Sequence, residues 1–141
     1  LVTKDTLFDE SDVLTIHLRL SSRTTGLVGE NELNRMKRSS IIINSSRGPI
    51  INESALIHAL KAGKIAGAGL DTFDVEPLPL AHELRTLQNT VITPQLGYVS
   101  TESYESYYSQ TIENISGYLK GSPLRVMNPD VLSNGKLRPV P

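Results

Sequence analysis

The amino-acid sequence predicts an α/β fold, a doubly wound parallel sheet followed by one long helix. Two observations carry that expectation. Short apolar, β-branched runs alternate with stretches of helical periodicity, the pattern of strands joined by helical crossovers. Near the end, Tyr104, Tyr108, Ile112, Ile115 and Leu119 recur three or four apart for about five turns.

Each element follows from its residues. Residues 12–18 read as a buried strand closed by a Ser-Ser turn. Leu27, Leu33 and Met36 give residues 26–37 a loose helical stripe. Residues 40–44 form a second strand, and their three consecutive isoleucines predict burial on both faces. Asn52 is a predicted N-cap with Glu53 in the first turn. Ala55, Leu56, Ala59 and Leu60 continue that helix, and Gly63 ends it. Residues 65–70 and 90–93 supply two more strands, separated by the proline-rich loop Glu76-Pro77-Leu78-Pro79. Ser100 caps the long helix, and Gly121 and Pro123 stop it. Beyond, Asn128-Pro129, Asn134-Gly135 and two further prolines predict an irregular tail.

Composition narrows the function. The 141 residues can bury a sizeable core, and 38% hydrophobic with 21% charged residues is a globular balance. A net charge of -1 gives no bulk attraction to nucleic acid or to an anionic membrane. The absence of cysteine removes disulfides and thiolate chemistry, so a reducing cytoplasm is the expected compartment. No apolar run approaches the roughly 18 residues of a membrane span. Three Asn-x-Ser matches, at Asn44, Asn52 and Asn114, lack a secretory signal and are read as chance. The chain opens on Leu1 and is expected to be cut from something longer.

In a parallel sheet, sites form outside the carboxyl ends of the strands. The residues just after each strand are therefore the candidates: 45–48, 71–76 and 95–98. Arg47 offers a planar, permanently charged fork that matches a carboxylate, the alternative being a surface ion pair. Asp71 ends a strand of small residues that a ligand could approach closely, or caps a turn. Glu76 could orient a base, pair with Arg47, or simply be solvated.

The histidines do not point to a metal. His17 alternates within a strand and reads as a hydrogen-bonded core residue, while His58 falls on a polar helix face. His82 has only the adjacent Glu83 as an acidic neighbour in sequence. No pair has metal-ligand spacing, so no metal site is expected. Gly67-Ala68-Gly69 lacks the third glycine of a dinucleotide fingerprint, which would fall on Thr72.

The loops nevertheless match a family pattern. Asp12-Val13, Ile16-His17-Leu18, Ile43-Asn44-Ser45-Ser46-Arg47-Gly48 and Glu53-Ser54-Ala55-Leu56 resemble the NAD(P)-dependent D-isomer-specific 2-hydroxyacid dehydrogenases. So do Gly67-Ala68-Gly69-Leu70-Asp71, Val75-Glu76-Pro77-Leu78 and Asn89-Thr90-Val91-Ile92-Thr93-Pro94. The motifs keep the family's order from about Asp12 to Pro129. The resemblance implies the second half of a Rossmann-type sheet, with the glycine-rich half and most of the substrate domain upstream. Residues 1–99 would be that half, 100–128 the helix and its return toward the substrate domain, and 129–141 an irregular tail.

The resemblance also implies roles and partners. Arg47 would bind the substrate carboxylate, Glu76 would partner the acid–base group, and Ser45, Arg47, Asp71 and Gly97 would contact NAD or NADP. The substrate would be a small 2-keto or 2-hydroxy acid, and the protein a homodimer. Where the family places its acid–base histidine, this sequence has Gln95, within Thr93-Pro94-Gln95-Leu96-Gly97. Glutamine donates a hydrogen bond but has no usable pKa near neutrality, and general acid–base catalysis is worth about 10²–10⁴-fold. Arg19 also stands where the family usually has proline. Two expectations follow: a dehydrogenase in which Gln95 replaces histidine, and a dehydrogenase-like protein that senses cofactor or binds a partner. The isolated 141-residue chain is expected to be inactive.

Overall fold

In a computed structural model, residues 1–133 are described. Asn134-Gly135, Pro139 and Pro141 of the expected irregular tail lie outside them. The chain divides into a unit of residues 1–97 and a second unit beginning at Tyr98.

The first unit runs α1 (Lys4–Glu10), β1 (Val13–Ile16), α2 (Glu30–Arg35), β2 (Ile41–Asn44), α3 (Glu53–Lys61), β3 (Gly67–Leu70) and β4 (Thr90–Ile92). Short 3₁₀ turns at Gly48–Ile50 and Glu83–Arg85 fill two of the connections. The four strands are parallel and lie in the order β1-β2-β3-β4. Ile16, Asn44, Leu70 and Ile92 stand side by side in register. The strands therefore end level, and the loops that follow them start from one line.

Strand order also explains a difference from the sequence expectation. Because every crossover steps in the same direction, right-handed connections stack α2 and α3 on one face. Leu14, Ile16, Ile42, Ala68 and Leu70 point into that core beside Leu33, Leu56, Ala59 and Leu60. Ile42 is fully buried, whereas Val13 on the other face is 57% exposed and Val91 71%. The isoleucine run is thus buried on one side only, and Ile41 is exposed. Among the described residues the helices cover this one face of the parallel sheet.

The caps behave as the sequence predicts. Asn52 Oδ1 accepts from the Ala55 amide at 2.9 Å, and α3 closes before Gly63. One helix is not visible in the sequence pattern. α1 is capped by Thr3 and held by a single buried side chain, Phe8, so it has no periodic stripe to read. His17 corrects its expectation: it lies just past β1, exposed, and its Nε2 pairs with Thr15 Oγ1 at 2.9 Å. A hydrogen bond is present, but no core position.

The second unit is α4 (Thr101–Leu119) and its return. Ser100 Oγ accepts from the Ser103 amide at 3.2 Å, and the rings of Tyr104 and Tyr108 stack at 5.9 Å. The stripe of Tyr104, Tyr108, Ile112, Ile115 and Leu119 is exposed. Within the stretch expected to be irregular, Asp130–Ser133 forms a helical turn, α5. Pro129, with its φ already suited to a helix start, precedes it.

Candidate active site at the carboxyl edge of the sheet

Buried polar side chains shape the loop after β2. Asn44 is 1% exposed. Its Oδ1 accepts from the Ser46 amide at 3.0 Å, and its Nδ2 donates to the Arg47 carbonyl at 2.9 Å. That arrangement is an Asx turn, which fixes the backbone carrying Arg47. Ser46 Oγ donates to the Leu18 carbonyl and ties the loop to the one after β1. Arg47 itself is exposed, and only its Nη1 is engaged, on the Ser46 carbonyl at 2.6 Å. No carboxylate pairs with it among the described residues. The fork is available for an anion from outside.

Gly48 joins this loop to the next. A Cβ there would sit 2.1 Å from the Phe73 carbonyl carbon and 2.2 Å from its oxygen. Only glycine permits the two backbones to touch.

Asp71 organises the loop after β4. Its Oδ1 accepts from the Thr93 hydroxyl and from the Leu96 amide at 2.8 Å. Its Oδ2 accepts from the Gly97 amide at 2.8 Å. Burial raises the Asp71 carboxyl, but the bonds from Thr93, Gly97 and Leu96 outweigh it and hold the group below the ordinary carboxylate value. A Cβ at Gly97 would stand 3.0 Å from Asp71 Oδ2 and 3.9 Å from Ser45 Cβ. The loops after β2, β3 and β4 thus meet around Ser45, Asp71 and Gly97.

Between the anchors on Thr93 and Leu96, the backbone at Gln95 is forced to φ 55°, a left-handed conformation that costs a non-glycine residue energy. Gln95 lines a cleft of about 500 Å³ with Asp71, Glu76, Arg85 and Thr93. Glu76 Oε1 accepts from the Phe73 amide at 2.9 Å, and Oε2 has no donor among the described residues. Arg85 spends Nε on the Pro79 carbonyl at 2.9 Å and Nη2 on the Leu78 carbonyl at 2.8 Å. The structure therefore brings Asp71, Glu76 and Gln95 to one cleft, with Ser45 and Gly97 at the Asp71 clamp. Arg47 is not among the cleft's lining residues.

Some neighbours escaped the sequence reading. Thr93 lies within a motif already noted but has no chemistry of its own to announce it. His82 Nδ1 accepts from the Leu84 amide at 3.3 Å, and its Nε2 donates to Glu53 Oε1 at 3.0 Å. Twenty-nine residues separate that pair, so no local pattern could show it. Beside it, burial and the Glu53 carboxylate push the Asp74 carboxyl up, against a smaller pull from His82. Among the described residues no cluster of three His, Cys, Asp or Glu could hold a metal, and no helix is long and apolar enough to cross a membrane.

Comparison with known proteins identifies the family of this unit. Residues 1–97 match the family described as D-isomer specific 2-hydroxyacid dehydrogenase, NAD binding domain. Glyoxylate/hydroxypyruvate reductase B of Erwinia tasmaniensis is 44% identical over 83% of this chain and 36% of its own length. A putative D-3-phosphoglycerate dehydrogenase oxidoreductase from Ralstonia solanacearum superposes with a TM-score of 0.84 at 38% identity, over 96% of this chain and 40% of that one. An acyclic imino acid reductase, Bsp5, solved in complex with NADPH and D-Arg, gives 0.77 at 33% identity over 89% and 40%. The chain spans only about two fifths of such relatives, 36% and 40% of the first two curated ones.

Proposed function

Because the chain belongs to the D-isomer specific 2-hydroxyacid dehydrogenase family through its NAD-binding domain, we propose that the whole protein is an NAD- or NADP-dependent oxidoreductase of small 2-keto and D-2-hydroxy acids. The observation that carries this reading is the meeting of three strand-end loops around Asp71. Parallel sheets bind ligands at that edge.

The residues fit the nicotinamide end of such a cofactor. A carboxylate offers about four acceptor positions, and Asp71 uses two on Oδ1 and one on Oδ2. The remaining position on Oδ2 suits an amide N–H, and the absent side chain of Gly97 lets a flat ring approach. Bound there, the cofactor supplies or takes up a hydride. The NADPH complex of the Bsp5 relative and the family's description support NAD or NADP as the class.

The chain's own residues then take separate tasks. Arg47, with no internal carboxylate to hold it, clamps the substrate carboxylate bidentately. Ser45, Asp71 and Gly97 line the cofactor side. Gln95 hydrogen-bonds the reacting oxygen, and Glu76 orients the Gln95 amide or a water. In our reading the protein is cytoplasmic and a homodimer, with no nucleic-acid or membrane partner. Glyoxylate and hydroxypyruvate are the first substrates to try, given the relatives' names.

Gln95 favours a second reading, a family member that binds cofactor without turning over. Titration of the whole protein with NADH and NADPH, followed by absorbance assays over a panel of 2-keto acids, separates the two. Saturable binding with turnover that Arg47→Ala weakens supports the enzyme. Binding with no turnover supports the sensor, and no binding removes both.

A further inference from the structure

We infer that Arg19 and Arg23, on the loop after β1, form a site for a phosphate monoester, the 2′-phosphate that distinguishes NADPH from NADH. This rests on the oxidoreductase reading above and names residues of this chain that choose between the two cofactors.

The loop is built as a platform. Thr24 Oγ1 donates to the Arg19 carbonyl at 2.8 Å and accepts from the Ser21 amide at the same distance. The Thr24 and Thr25 amides both donate to the Ser21 carbonyl at 3.0 Å. Arg19 and Arg23 therefore stand on one closed turn, and with Ser21 and Thr24 they line a cleft of about 480 Å³. Both ends of the loop are fastened to the segment that carries Arg47. Ser46 Oγ donates to the Leu18 carbonyl, and the Gly26 amide donates to the Pro49 carbonyl at 2.8 Å. Groups held in place beforehand cost a ligand less to order.

Charge singles the two arginines out. The chain is nearly neutral, and Lys4, Arg35, Lys37 and Lys61 each meet a carboxylate. Arg19 and Arg23 are exposed and meet none among the described residues. Two like charges on one turn repel each other, and a dianion bound between them relieves that repulsion. A phosphate monoester carries about −1.5 to −2 charges at neutral pH and takes bidentate bonds from guanidinium groups. Arg19 also stands where the family usually has proline, so its charge is a property of this chain.

Position selects which phosphate. The Asp71 clamp, which suits the nicotinamide end, lies at the end of β3, and β1 stands two strands away on the same edge. At the usual strand spacing that is about 10 Å. A dinucleotide lying across a parallel sheet carries its adenosine half away from the nicotinamide along this edge. In such sheets the pyrophosphate sits on a glycine-rich turn and a helix N-terminus, whereas an arginine takes the 2′-phosphate of NADP. The turn at Arg19 and Arg23 does not open a helix, since α2 starts only at Glu30. It has the means to hold the second kind of phosphate and not the first.

The test is calorimetric titration of the whole protein, without substrate, with NADPH, NADH, adenosine 2′,5′-bisphosphate and 5′-AMP. Wild type is expected to bind NADPH at least about tenfold more tightly than NADH, and the bisphosphate more tightly than 5′-AMP by a similar factor. Added salt should narrow both gaps. Arg19→Leu combined with Arg23→Leu should weaken NADPH by about tenfold or more and NADH by less than about twofold. Leucine keeps the backbone carbonyl that Thr24 grips, so the turn is retained. Arg19→Lys combined with Arg23→Lys keeps both charges and should recover part of the preference. The wild-type comparison of the bisphosphate with 5′-AMP needs no variant to fold. NADH bound as tightly as NADPH, equal loss of both cofactors in the leucine variant, or a preference that survives it overturns the inference while the dehydrogenase reading stands. Absence of binding of either cofactor defeats that reading, and the inference with it.

Discussion

Asp71 accepts the amide hydrogen of Gly97 at 2.8 Å and that of Leu96 at the same distance, so one carboxylate at the end of β3 fixes the loop after β4. Hydrogen bonds to a charged group are worth about 1.5–3 kcal/mol each way they are counted. Asp71→Asn replaces one acceptor oxygen with an NH₂ that must face a backbone or hydroxyl donor. It should lower stability by about 1–3 kcal/mol, read as a fall in the urea midpoint at pH 7. The effect is pH-dependent. A carboxyl held below its unfolded value adds stability above the ordinary carboxylate range and loses it as pH falls through the lowered folded value. The wild-type advantage over Asp71→Asn should therefore shrink from about pH 4 downward. An advantage that persists undiminished at pH 2 would contradict the clamp.

Gly48 meets the Phe73 carbonyl so closely that alanine cannot be accommodated without moving one loop. The atoms in the way are backbone, which yields less readily than a flexible side chain. Overpacking of this kind typically costs about 1–3 kcal/mol. Gly48→Ala should lower the melting temperature and, in the whole protein, raise KM for the keto acid more than for the cofactor, because Arg47 rides on the displaced loop. Gly48→Ala with parental stability would mean that the two loops do not touch.

Gln95 pays for its place with a left-handed backbone, φ 55°. That conformation costs an L-residue roughly 1–2 kcal/mol, against about 0.5–1 kcal/mol for the extra unfolded-state freedom of glycine. Gln95→Gly should thus be neutral or stabilising by up to about 1 kcal/mol by thermal unfolding, yet lose the amide that faces the cleft. Gln95→Val should destabilise, since a β-branched residue at positive φ is strained. Gln95→Gly less stable than wild type by a clear margin would show that the side chain holds the loop.

Much of this was legible in the sequence for definite reasons. The strands and α3 announced themselves because Ile41-Ile42-Ile43, Asn52 and the Ala55–Leu60 spacing are local signals. The candidates come from the strand ends, where parallel sheets bind ligands, and Ser45, Asp71 and Gly97 do converge there. What the sequence could not show is set by distance along the chain. Asp71 and Gly97 are twenty-six residues apart and Glu53 and His82 twenty-nine, and no pattern in one strand or helix encodes such pairs. The exposure of Ile41 is hidden for a related reason: three isoleucines in a row report a strand but not which of its faces is covered.

Asp74 gives the opposite pH signature to Asp71. Burial and the nearby Glu53 carboxylate raise its carboxyl, with His82 opposing. A carboxyl raised above its unfolded value binds its proton more tightly in the folded state, so stability falls as pH rises from the ordinary carboxylate value through the raised one, and is level beyond it. Asp74→Asn removes the charge that causes the loss. The variant should match wild type near pH 3 and exceed it at pH 7, by less than about 1 kcal/mol, because neighbouring atoms desolvate the carboxyl only in part and the residue as a whole stays exposed, where water screens its interactions. Urea midpoints of both proteins at the two pH values measure it, and taking the difference between variant and wild type removes the opposing slope of Asp71. Since Glu53 also holds His82, Glu53→Gln should relieve Asp74 but weaken the His82 contact, leaving a smaller gain than Asp74→Asn. A variant less stable than wild type at pH 7 would mean that Asp74 makes a favourable contact that outweighs its repulsion from Glu53.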